Sequence, residues 1–485
     1  MGRAIMTLLP LSNRKVVVLS NRAPGPGRAV SGLVSAVEPV LEETGGTWVA
    51  WNGETTPGQS VNGSPRCFDD RGYVLREVAL SRDEYREYYL GLANSCLWPV
   101  SHCFVNGLTF STRQWETYRE VNARFAHTAA RWEGEGSFFW VHDYHLALVP
   151  ALLRKVYPAS RVAFFWHIPF PPYDVLRILP WHAELVAGML GANMVGFHTG
   201  RYVKNFLECV EASLGSGVEV RSGQVVHQGR SVQVRALPVG IDWRRFAALA
   251  ASPAVRARAE TIRESLGVRW LLLGADRLDY TKGILERLEA FDLLLEENPE
   301  LQGKVTLLQV GIPSREDIPA YRNLRSAVDA AVGRLNGKYD RHYRSVPVRY
   351  VCHPLGPEEL VAHYLAADVA LVTPLRDGLN LVAKEYAACR QQETGALVLS
   401  TLAGAAEEMP GALLVNPYDT AGLAGAMREA LQMSPAEQGR RMRLLRQTVQ
   451  KHELGRWWHH TLKYAGVDVP VVQPLAAGAE TAVCD

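Results

Sequence analysis

Short segments rich in β-branched and aromatic residues alternate with longer amphipathic segments along most of this chain. Buried strands of parallel sheets have such a composition, and helices separate them. The segments that predict strands are Lys15–Ser20, Phe138–His142, Arg161–Trp166, Trp270–Gly274, Lys304–Val310, Val346–Val351, Val369–Val372 and Ala396–Ser400. The segment Ile284–Glu297 predicts a helix, because its leucines and isoleucine recur at helical spacing. The alternation therefore predicts an α/β fold built on parallel sheets.

Proline and glycine interrupt this pattern at Leu237–Asp242, and a second strand–helix series begins at Trp270. We therefore predict two doubly wound, Rossmann-like domains that face each other across a cleft, formed by residues 1–240 and 241–454. A long helical stretch at about 435–465 predicts that a final helix, near 455–470, crosses back to the first domain. Residues 466–485 are expected to form a loose tail.

The composition is that of a globular protein with enough apolar material for two cores. Of 485 residues, 47% are hydrophobic and 21% are charged. The net charge of +2 predicts no general attraction to nucleic acid or to a membrane, so an anionic substrate requires a local cluster of cations. Seven scattered cysteines without a C-x-x-C pair favour reduced thiols and a cytoplasmic location. A homo-oligomer is compatible with the sequence.

A candidate phosphate-binding loop follows the first predicted strand. Asn21 and Arg22 come directly after the strand, and a glycine-rich segment then runs to Gly32 at the start of a helix. Glycines before a helix N-terminus can surround a phosphate with backbone N–H groups, and an arginine adds a bidentate charge. A plain surface loop is the alternative interpretation.

A second cationic segment follows the strand at Trp270–Gly274. Arg277 and Lys282 lie five residues apart, directly before a helix, and this arrangement suits a diphosphate. The alternative is a solvated patch in which Asp276 and Asp279 neutralise the two cations.

The segment after Val369–Val372 combines an acidic residue with a glycine at a predicted helix start. Backbone nitrogens at Gly378 can face a phosphate, and Glu385, about two turns further on, can accept both hydroxyls of a ribose. Asp377 would repel a diphosphate. Its presence is explained if its carboxylate accepts hydrogen bonds from the hydroxyls of a donor sugar. The alternative is an ordinary capped helix with Glu385 exposed.

Asp143 and His167 each follow a predicted strand and can contact sugar hydroxyls at the cleft. Alternatively, Asp143 caps a helix and His167 is buried in a turn. We expect His142 and His145 to be structural, because no third ligand at a diagnostic spacing predicts a metal site. Aromatic residues that can pack on a sugar ring, or form core, are Trp48, Trp51, Tyr85, Tyr88, Tyr89 and Trp98.

Together these segments resemble the trehalose-6-phosphate synthase family of retaining GT-B glycosyltransferases, glycosyltransferase family 20. The segments that carry the resemblance are Ser20–Pro24, Gly45–Glu54, Asn94–Pro99, Val141–Leu146, His167–Pro171, Gly196–Thr199, Leu237–Asp242, Asp276–Ile284, Arg376–Tyr386 and Leu414–Asp419. They occur in the family's order over most of the chain, and the two longest motifs, DRLDYTKG and RDGLNLVAKEY, are highly specific.

The resemblance implies transfer of glucose from a nucleotide-glucose, usually UDP-glucose, to glucose 6-phosphate, with retention, giving α,α-trehalose 6-phosphate. The nucleotide-glucose is a co-substrate, and no cofactor or metal is implied. The transfer takes place on one face of the sugar, and the leaving phosphate oxygen accepts the proton of the acceptor. Closure of the two domains over both substrates is the expected gating step.

The resemblance also implies a role for individual residues of this sequence. The implied donor-binding residues are Gly32, Arg277, Lys282, Asp377, Gly378, Leu379, Asn380, Leu381 and Glu385. The implied acceptor-binding residues are Arg22, Trp51, Tyr89, Trp98, Asp143 and Arg315. The residues implied at the reacting centre are Asp143, His167, Arg277 and Lys282.

Two departures from the family pattern leave details open. Ser31-Gly32 replaces the usual Gly-Gly of the first loop, and Thr401-Leu402 replaces a common acidic or amide residue followed by Phe. The donor nucleotide therefore stays open among uridine, guanosine and adenosine. One alternative function is a glucosylglycerol-phosphate synthase that uses glycerol 3-phosphate. Another, from a different class, is a catalytically silent sugar-phosphate sensor, although such proteins tend to lose the donor cations that this chain keeps.

Overall fold

A computed structural model describes residues 14–23, 32–56, 67–68, 72–339 and 346–468. The β-strands in these ranges are β1 (Val16–Arg22), β2 (Thr47–Trp51), β3 (Thr55–Thr56), β4 (Cys67–Phe68), β5 (Val74–Glu77), β6 (Leu80–Ser81), β7 (Phe138–His142), β8 (Arg161–Phe165), β9 (Met194–Phe197), β10 (Val218–Arg221), β11 (Gln224–His227), β12 (Arg230–Ala236), β13 (Trp270–Arg277), β14 (Val305–Ile312), β15 (Val348–Val351), β16 (Val369–Val372), β17 (Ala396–Ser400) and β18 (Leu413–Val415).

The α-helices in the same ranges are α1 (Gly32–Thr44), α2 (Arg82–Glu84), α3 (Trp98–Ser101), α4 (Thr112–Trp132), α5 (Val149–Val156), α6 (Tyr173–Leu176), α7 (His182–Met189), α8 (Gly200–Leu214), α9 (Trp243–Ala251), α10 (Pro253–Leu266), α11 (Ile284–Glu297), α12 (Pro319–Tyr339), α13 (Pro357–Ala366), α14 (Leu381–Cys389), α15 (Thr420–Gln432), α16 (Pro435–Lys451) and α17 (Leu454–Ala465). A helix of the wider π form, Tyr85–Leu97, joins α2 to α3.

Two mainly parallel sheets organise the described part of the chain. The larger has the strand order β10-β11-β12-β9-β8-β7-β1-β2-β5-β4, in which the strands from β12 to β5 run parallel. The smaller has the order β15-β14-β13-β16-β17-β18 and is parallel throughout. Their central strands are buried on both faces, as parallel strands covered by helices must be. The predicted α/β class with parallel sheets is confirmed.

The strand order reverses once in each sheet, and this determines where ligands can bind. In the larger sheet the reversal lies between β1 and β7, and in the smaller sheet between β13 and β16. At such a reversal the two neighbouring connections leave in opposite directions and open a crevice beyond the carboxyl ends of the strands. The segments that the sequence analysis selected after β1, β7, β13 and β16 therefore meet at two such crevices.

Most predicted strands have the expected position, with differences at their ends. β7, β16, β17 and helix α11 have the predicted bounds, whereas β13 continues to Arg277 and β15 begins only at Val348. The long helical stretch near 435–465 is two helices, because the backbone leaves the helical conformation at His452 and Glu453. Residues 469–485 of the predicted tail lie outside the described residues.

The final helix, α17, packs against the larger sheet. The ring centroid of Trp457 lies 5.3 Å from that of Phe165 on β8, and Trp458 lies 4.9 Å from Trp140 on β7. The chain thus crosses from one sheet to the other twice, once after β12 and once before α17. These passages touch, since a Cβ on Gly240 would lie 2.3 Å from the carbonyl oxygen of His452.

A buried ion cluster fixes helix α14 of the smaller sheet to both passages. The Lys384 ammonium donates to the Val239 carbonyl oxygen at 2.7 Å and is paired with Glu408, which also contacts Nδ1 of His452 at 2.7 Å. Lys384 is only 1% exposed, so burial penalises its positive charge, and the pairing with Glu408 offsets that penalty. The start of α14, where donor-binding residues are expected, is therefore anchored to the connection between the sheets.

Candidate active site

Two arginines from different sheets converge on one tyrosine at the first crevice. The guanidinium carbon of Arg22, at the end of β1, lies 3.9 Å from the ring centroid of Trp51 and 5.2 Å from that of Tyr89. Burial raises the pKa of the Tyr89 phenol, but the charges of Arg315 and Arg22 outweigh burial and hold the pKa below its usual value. Two cations beside one half-buried ring form a pocket suited to a phosphate dianion.

Arg315 reaches this pocket from the smaller sheet, in the loop after β14. Its guanidinium donates to the hydroxyls of Tyr321 at 2.6 Å and Tyr144 at 3.1 Å, and lies 4.0 Å from the Trp98 ring centroid. The side chain is 7% exposed, and its backbone adopts φ = 50°. A buried cation held by hydroxyls and an aromatic face is preorganised to bind an anion.

The π-helix at 85–97 places the aromatic residues of this pocket. Its wider turn is visible in backbone bonds that span five residues, such as the Trp98 N–H to the Ala93 carbonyl oxygen, and the Asn94 side chain also donates to the Tyr89 carbonyl oxygen at 2.8 Å. The rings of Tyr85 and Tyr89 stack at 5.4 Å, and Trp51 packs edge-on to Tyr89 at 5.5 Å. The predicted residues Trp51, Tyr89 and Trp98 thus lie with Arg22 and Arg315 at one site.

The second crevice holds the cations that were predicted to bind a diphosphate. Arg277 is 44% exposed and lies 4.0 Å from Asp279, whose carboxylate is completely buried and accepts from the backbone N–H of Thr281 at 3.0 Å. Asp276 is also buried and pairs with Arg287 at 2.7 Å. Both aspartates are buried, so the patch is not solvated, although Asp279 remains paired with Arg277. The guanidinium of Arg277 lies 5.7 Å from the Trp98 ring centroid.

Lys282 is paired with Asp377 instead. The distance from the ammonium to Oδ2 is 2.5 Å, and Asn380 Nδ2 donates to the same oxygen at 3.1 Å. Burial raises the pKa of Asp377, but Lys282 outweighs it, so that the pKa lies below its ordinary value. This ion pair explains how an aspartate is tolerated beside a candidate diphosphate site, a difficulty that the sequence alone left open.

Helix α14 points its N-terminus at this crevice. It begins at Leu381, after Asn380 with φ = 78°, and backbone N–H groups from Gly378 onward precede its first turn. Glu385 lies one turn inside the helix, not two as expected, because the helix starts three residues after Gly378. Its Oε2 accepts from the Tyr364 hydroxyl at 2.7 Å, and burial raises the pKa of the carboxyl.

Gly32, at the start of α1, closes one side of the cleft against α14. A Cβ on Gly32 would lie 3.1 Å from Cδ1 of Leu381, so a larger residue would press the two elements apart. The predicted phosphate loop before it, with the Ser31 departure, lies almost wholly outside the described residues. Thr401 and Leu402 are described and exposed, and the Leu402 carbonyl oxygen accepts from the Asp377 N–H at 3.1 Å.

Asp143 occupies the floor of the cleft at the end of β7. Its Oδ1 accepts from the backbone N–H groups of Tyr144 at 3.0 Å and His167 at 3.3 Å, and its backbone has φ = 74°. The capping interpretation is therefore confirmed, and contact with sugar hydroxyls stays a prediction. Burial raises the pKa of the Asp143 carboxyl to about 6, although these N–H groups and the charge of Arg315 act against burial. Strained backbone of this kind is concentrated at functional sites.

The loop that carries His167 touches the donor-side loop directly. A Cβ on Gly378 would lie 2.3 Å from the His167 carbonyl oxygen, and the Tyr202 hydroxyl donates to the Asp377 carbonyl oxygen at 3.0 Å. His198 Nε2 contacts the same His167 carbonyl oxygen at 3.0 Å. The two sheets are therefore closed on each other at the predicted reacting centre.

This close approach leads to a prediction at Gly378. Gly378→Ala should lower kcat/KM by about 100-fold, because a methyl group would force the two loops apart and misplace the reacting groups. Steady-state kinetics of the variant would measure the loss. Gly425→Ala is the matched control, since Gly425 lies in α15 with no atom within 4 Å of an added Cβ. Equal activity of the two variants would contradict the closed arrangement.

The site also contains residues that the sequence analysis did not select. They are Tyr144, Tyr202, Tyr321 and His198, each joined to a predicted residue by a hydrogen bond. Tyr144 and His198 follow strands within motifs already quoted, so their position was a usable signal. Tyr202 and Tyr321 lie in helices, and no local pattern marks them.

Neither a metal centre nor a membrane span is found among the described residues. No cluster of three or more histidine, cysteine, aspartate or glutamate side chains there is arranged to bind a metal ion. Within the same ranges, every helix is too short or too polar to cross a bilayer.

Two parallel-sheet domains that close over a cleft between their strand ends define a GT-B glycosyltransferase, and comparison with known proteins agrees. Residues 21–466 match the family model of glycosyltransferase family 20. A trehalose-6-phosphate synthase of Mycolicibacterium gilvum is 42% identical over 467 residues, which is 92% of this chain and 93% of that protein. The chain therefore belongs to glycosyltransferase family 20.

Solved structures show the same fold. An α,α-trehalose-phosphate synthase (UDP-forming) from Burkholderia xenovorans, in complex with glucose-6-phosphate, has a TM-score of 0.87 and 34% identity, covering 93% of this chain and all of that one. The trehalose-6-phosphate enzyme of E. coli bound with UDP-2-fluoro glucose has a TM-score of 0.87 and 33% identity, covering 94% of this chain and all of that one. The predicted GT-B fold and family are confirmed.

Proposed function

We propose that this enzyme transfers glucose from UDP-glucose to glucose 6-phosphate with retention, producing α,α-trehalose 6-phosphate and UDP. Full-length similarity to proteins named for this reaction supports the proposal. One observation in the structure carries it: two anion sites face each other across a closed cleft. One contains Arg22 and Arg315, and the other contains Arg277 and Lys282.

On the donor side, Arg277 and the N-terminus of α14 bind the diphosphate. Lys282 joins them by turning from Asp377 towards the phosphates when the donor sugar supplies hydroxyls to that carboxylate. The backbone from Gly378 through Leu379 and Asn380 to Leu381 lies against the phosphates and the sugar, with Gly32 opposite. Glu385 accepts hydrogen bonds from the ribose hydroxyls, and His167 contacts the donor sugar.

On the acceptor side, Arg22 and Arg315 bind the phosphate of glucose 6-phosphate, and Trp51, Tyr89 and Trp98 line the pocket. Asp143 accepts hydrogen bonds from hydroxyls of the acceptor sugar at the reacting centre. The Arg315 guanidinium is already oriented by the hydroxyls of Tyr144 and Tyr321, so little reorganisation of this charge is needed when the phosphate arrives.

The chemical step exchanges one bond at the anomeric carbon for another on the same face. The bond from C1 of the donor glucose to the phosphate oxygen breaks while the bond to the acceptor hydroxyl oxygen forms, and the hydroxyl proton moves to the leaving phosphate oxygen. Arg277 and Lys282 stabilise the negative charge on the departing nucleotide, most strongly once the closed cleft has excluded water.

An assay of several donors against several acceptors tests the proposal. Purified enzyme is incubated with UDP-, GDP- and ADP-glucose, each with glucose 6-phosphate or glycerol 3-phosphate, and the products are identified by mass and NMR. We expect α,α-trehalose 6-phosphate from UDP-glucose and glucose 6-phosphate. A product from glycerol 3-phosphate alone would favour a glucosylglycerol-phosphate synthase, and binding without turnover of any pair would favour a sugar-phosphate sensor.

The same assay in excess EDTA tests metal independence. Two cationic side chains and a helix N-terminus can neutralise a departing diphosphate as a divalent cation would, so we expect full activity. Loss of activity that only a divalent ion restores would contradict this part of the proposal. We expect the reaction to occur in the cytoplasm, where the free cysteines stay reduced.

A further inference from the structure

Three histidines lie side by side where neighbouring parallel strands of the larger sheet end. His142 is the last residue of β7, His167 follows β8 and His198 follows β9. The ring centroids of His142 and His167 are 5.2 Å apart, and those of His167 and His198 are 5.5 Å apart. His167 is the member of this row that touches the donor-side loop, through its carbonyl oxygen at Gly378.

The two outer histidines hold His167 at two different points. His198 Nε2 lies 3.0 Å from the His167 carbonyl oxygen, which can only accept, so the hydrogen of His198 is on Nε2. His142 Nδ1 lies 3.0 Å from Nε2 of the His167 ring. The backbone and the imidazole of His167 are thus fixed separately.

All three rings are neutral at the pH of the cytoplasm. Burial lowers the pKa of His142 to about 3 and that of His198 to about 4. The pKa of His167 lies well below its usual value, first because of burial and then because of the neighbouring His142 and His198. One hydrogen is therefore shared between His142 Nδ1 and His167 Nε2, and its position decides what the other nitrogen of each ring can do.

The surroundings of His142 decide the position of that hydrogen. His142 is completely buried against Trp140 and Trp457, with ring centroids at 4.5 Å and 6.2 Å, and its Nε2 has no partner among the described residues. The two covering indoles offer N–H donors and no acceptor, so a hydrogen on His142 Nε2 would find no partner there, whereas an unprotonated Nε2 faces donors only. The hydrogen of His142 therefore belongs on Nδ1, where it donates to His167.

We infer that His142 is a positioning residue that holds His167 in the tautomer with its hydrogen on Nδ1, so that His167 offers a donor to a hydroxyl of the donor sugar. His167 is only half-buried, and no hydrogen bond joins its Nδ1 to any other residue in the described ranges. That nitrogen is free to meet a ligand. The inference rests on the proposed function for the identity of the sugar, whereas the tautomer itself is a property of the free enzyme.

Nitrogen-15 NMR of the imidazole rings in the full chain tests the tautomer without any substrate. The signals of His167 are assigned by their loss in His167→Gln. We expect the directly bonded hydrogen of His167 on Nδ1, with Nε2 unprotonated, and the hydrogen of His142 on Nδ1. A hydrogen on Nε2 of His167 overturns the inference, whether or not the enzyme proves to make trehalose 6-phosphate.

Kinetics of two His142 variants test the consequence for catalysis. His142→Asn places an amide donor near the former Nδ1 and should keep kcat/KM for UDP-glucose within about threefold of the parent. His142→Leu fills similar space without a donor, and should lower kcat/KM for UDP-glucose by about tenfold while leaving KM for glucose 6-phosphate unchanged.

A buried histidine remote from the cleft supplies the matched control. His363 on α13 is 5% exposed and bonds the Glu359 carbonyl oxygen through Nδ1, so His363→Leu should lower the melting temperature without changing either kinetic constant. Equal losses in His142→Asn and His142→Leu would indicate packing alone and overturn the inference, as would full activity of His142→Leu. If the leucine variant does not fold, the NMR measurement on the parent enzyme still decides.

Discussion

Replacing Arg277 by alanine should reduce kcat by about 100- to 1,000-fold while the protein stays folded. A preorganised cation at a departing phosphate stabilises charge that develops only in the transition state, and removal of one such group typically costs this much. The side chain is 44% exposed. It lies 4.0 Å from Asp279, which keeps its backbone donor at Thr281, and 5.7 Å from the Trp98 ring centroid. The fold therefore does not depend on it.

Steady-state turnover with saturating UDP-glucose and glucose 6-phosphate measures this effect. Arg258→Ala is the matched control, because Arg258 is also half-exposed and paired with a carboxylate, Glu359, but lies away from the cleft. The control should keep parental turnover. Near-normal kcat in Arg277→Ala would remove this residue from the mechanism.

Replacing Arg315 by alanine should raise the apparent KM for glucose 6-phosphate by about 100-fold, since a charge-assisted bond to a buried phosphate is lost. The guanidinium lies beside Trp98 and is oriented by Tyr144 and Tyr321. KM for UDP-glucose should change much less, because the donor diphosphate is bound at Arg277 and Lys282.

Comparison of glucose 6-phosphate with free glucose as the acceptor separates a loss of phosphate binding from a general loss of catalytic activity. In the parent enzyme glucose 6-phosphate should be strongly preferred, and in Arg315→Ala this preference should fall, while the low activity on free glucose stays the same. Arg315→Lys should give an intermediate KM, because an ammonium keeps the charge but not the fork of donors. An unchanged KM in Arg315→Ala would indicate a different acceptor.

The sequence predicted the fold class well because the strands that flank both crevices are local, strongly apolar segments. β7, β16 and β17 appear in it as short uninterrupted runs of buried residues. The strand β2 was missed. Its two tryptophans, Trp48 and Trp51, were interpreted as residues of either a sugar-binding surface or the core, and both are completely buried. Strands β10 to β12 were missed because exposed polar residues interrupt their apolar pattern.

The sequence selected residues that the structure brings together at the candidate site, but it did not predict how they pair. Position after a strand selected Arg22, Asp143, Arg277 and Asp377, since strand ends of one sheet meet at one edge. The pairing of Lys282 with Asp377, across 95 residues of sequence, depends on tertiary contact and has no local signal. The position of Arg315 has no local signal either. It lies in the loop after β14 of the smaller sheet, and its guanidinium contacts the aromatic pocket beside the larger sheet.

A crystal structure of the enzyme with UDP and glucose 6-phosphate bound together tests the central claim most directly. We expect the diphosphate oxygens within hydrogen-bond distance of Arg277 and Lys282, and the hexose phosphate between Arg22 and Arg315 beside Tyr89. The two ligands should lie on opposite sides of one closed cleft. A cleft that stays empty at saturating concentrations of both compounds, or a hexose phosphate bound away from both arginines, would contradict it.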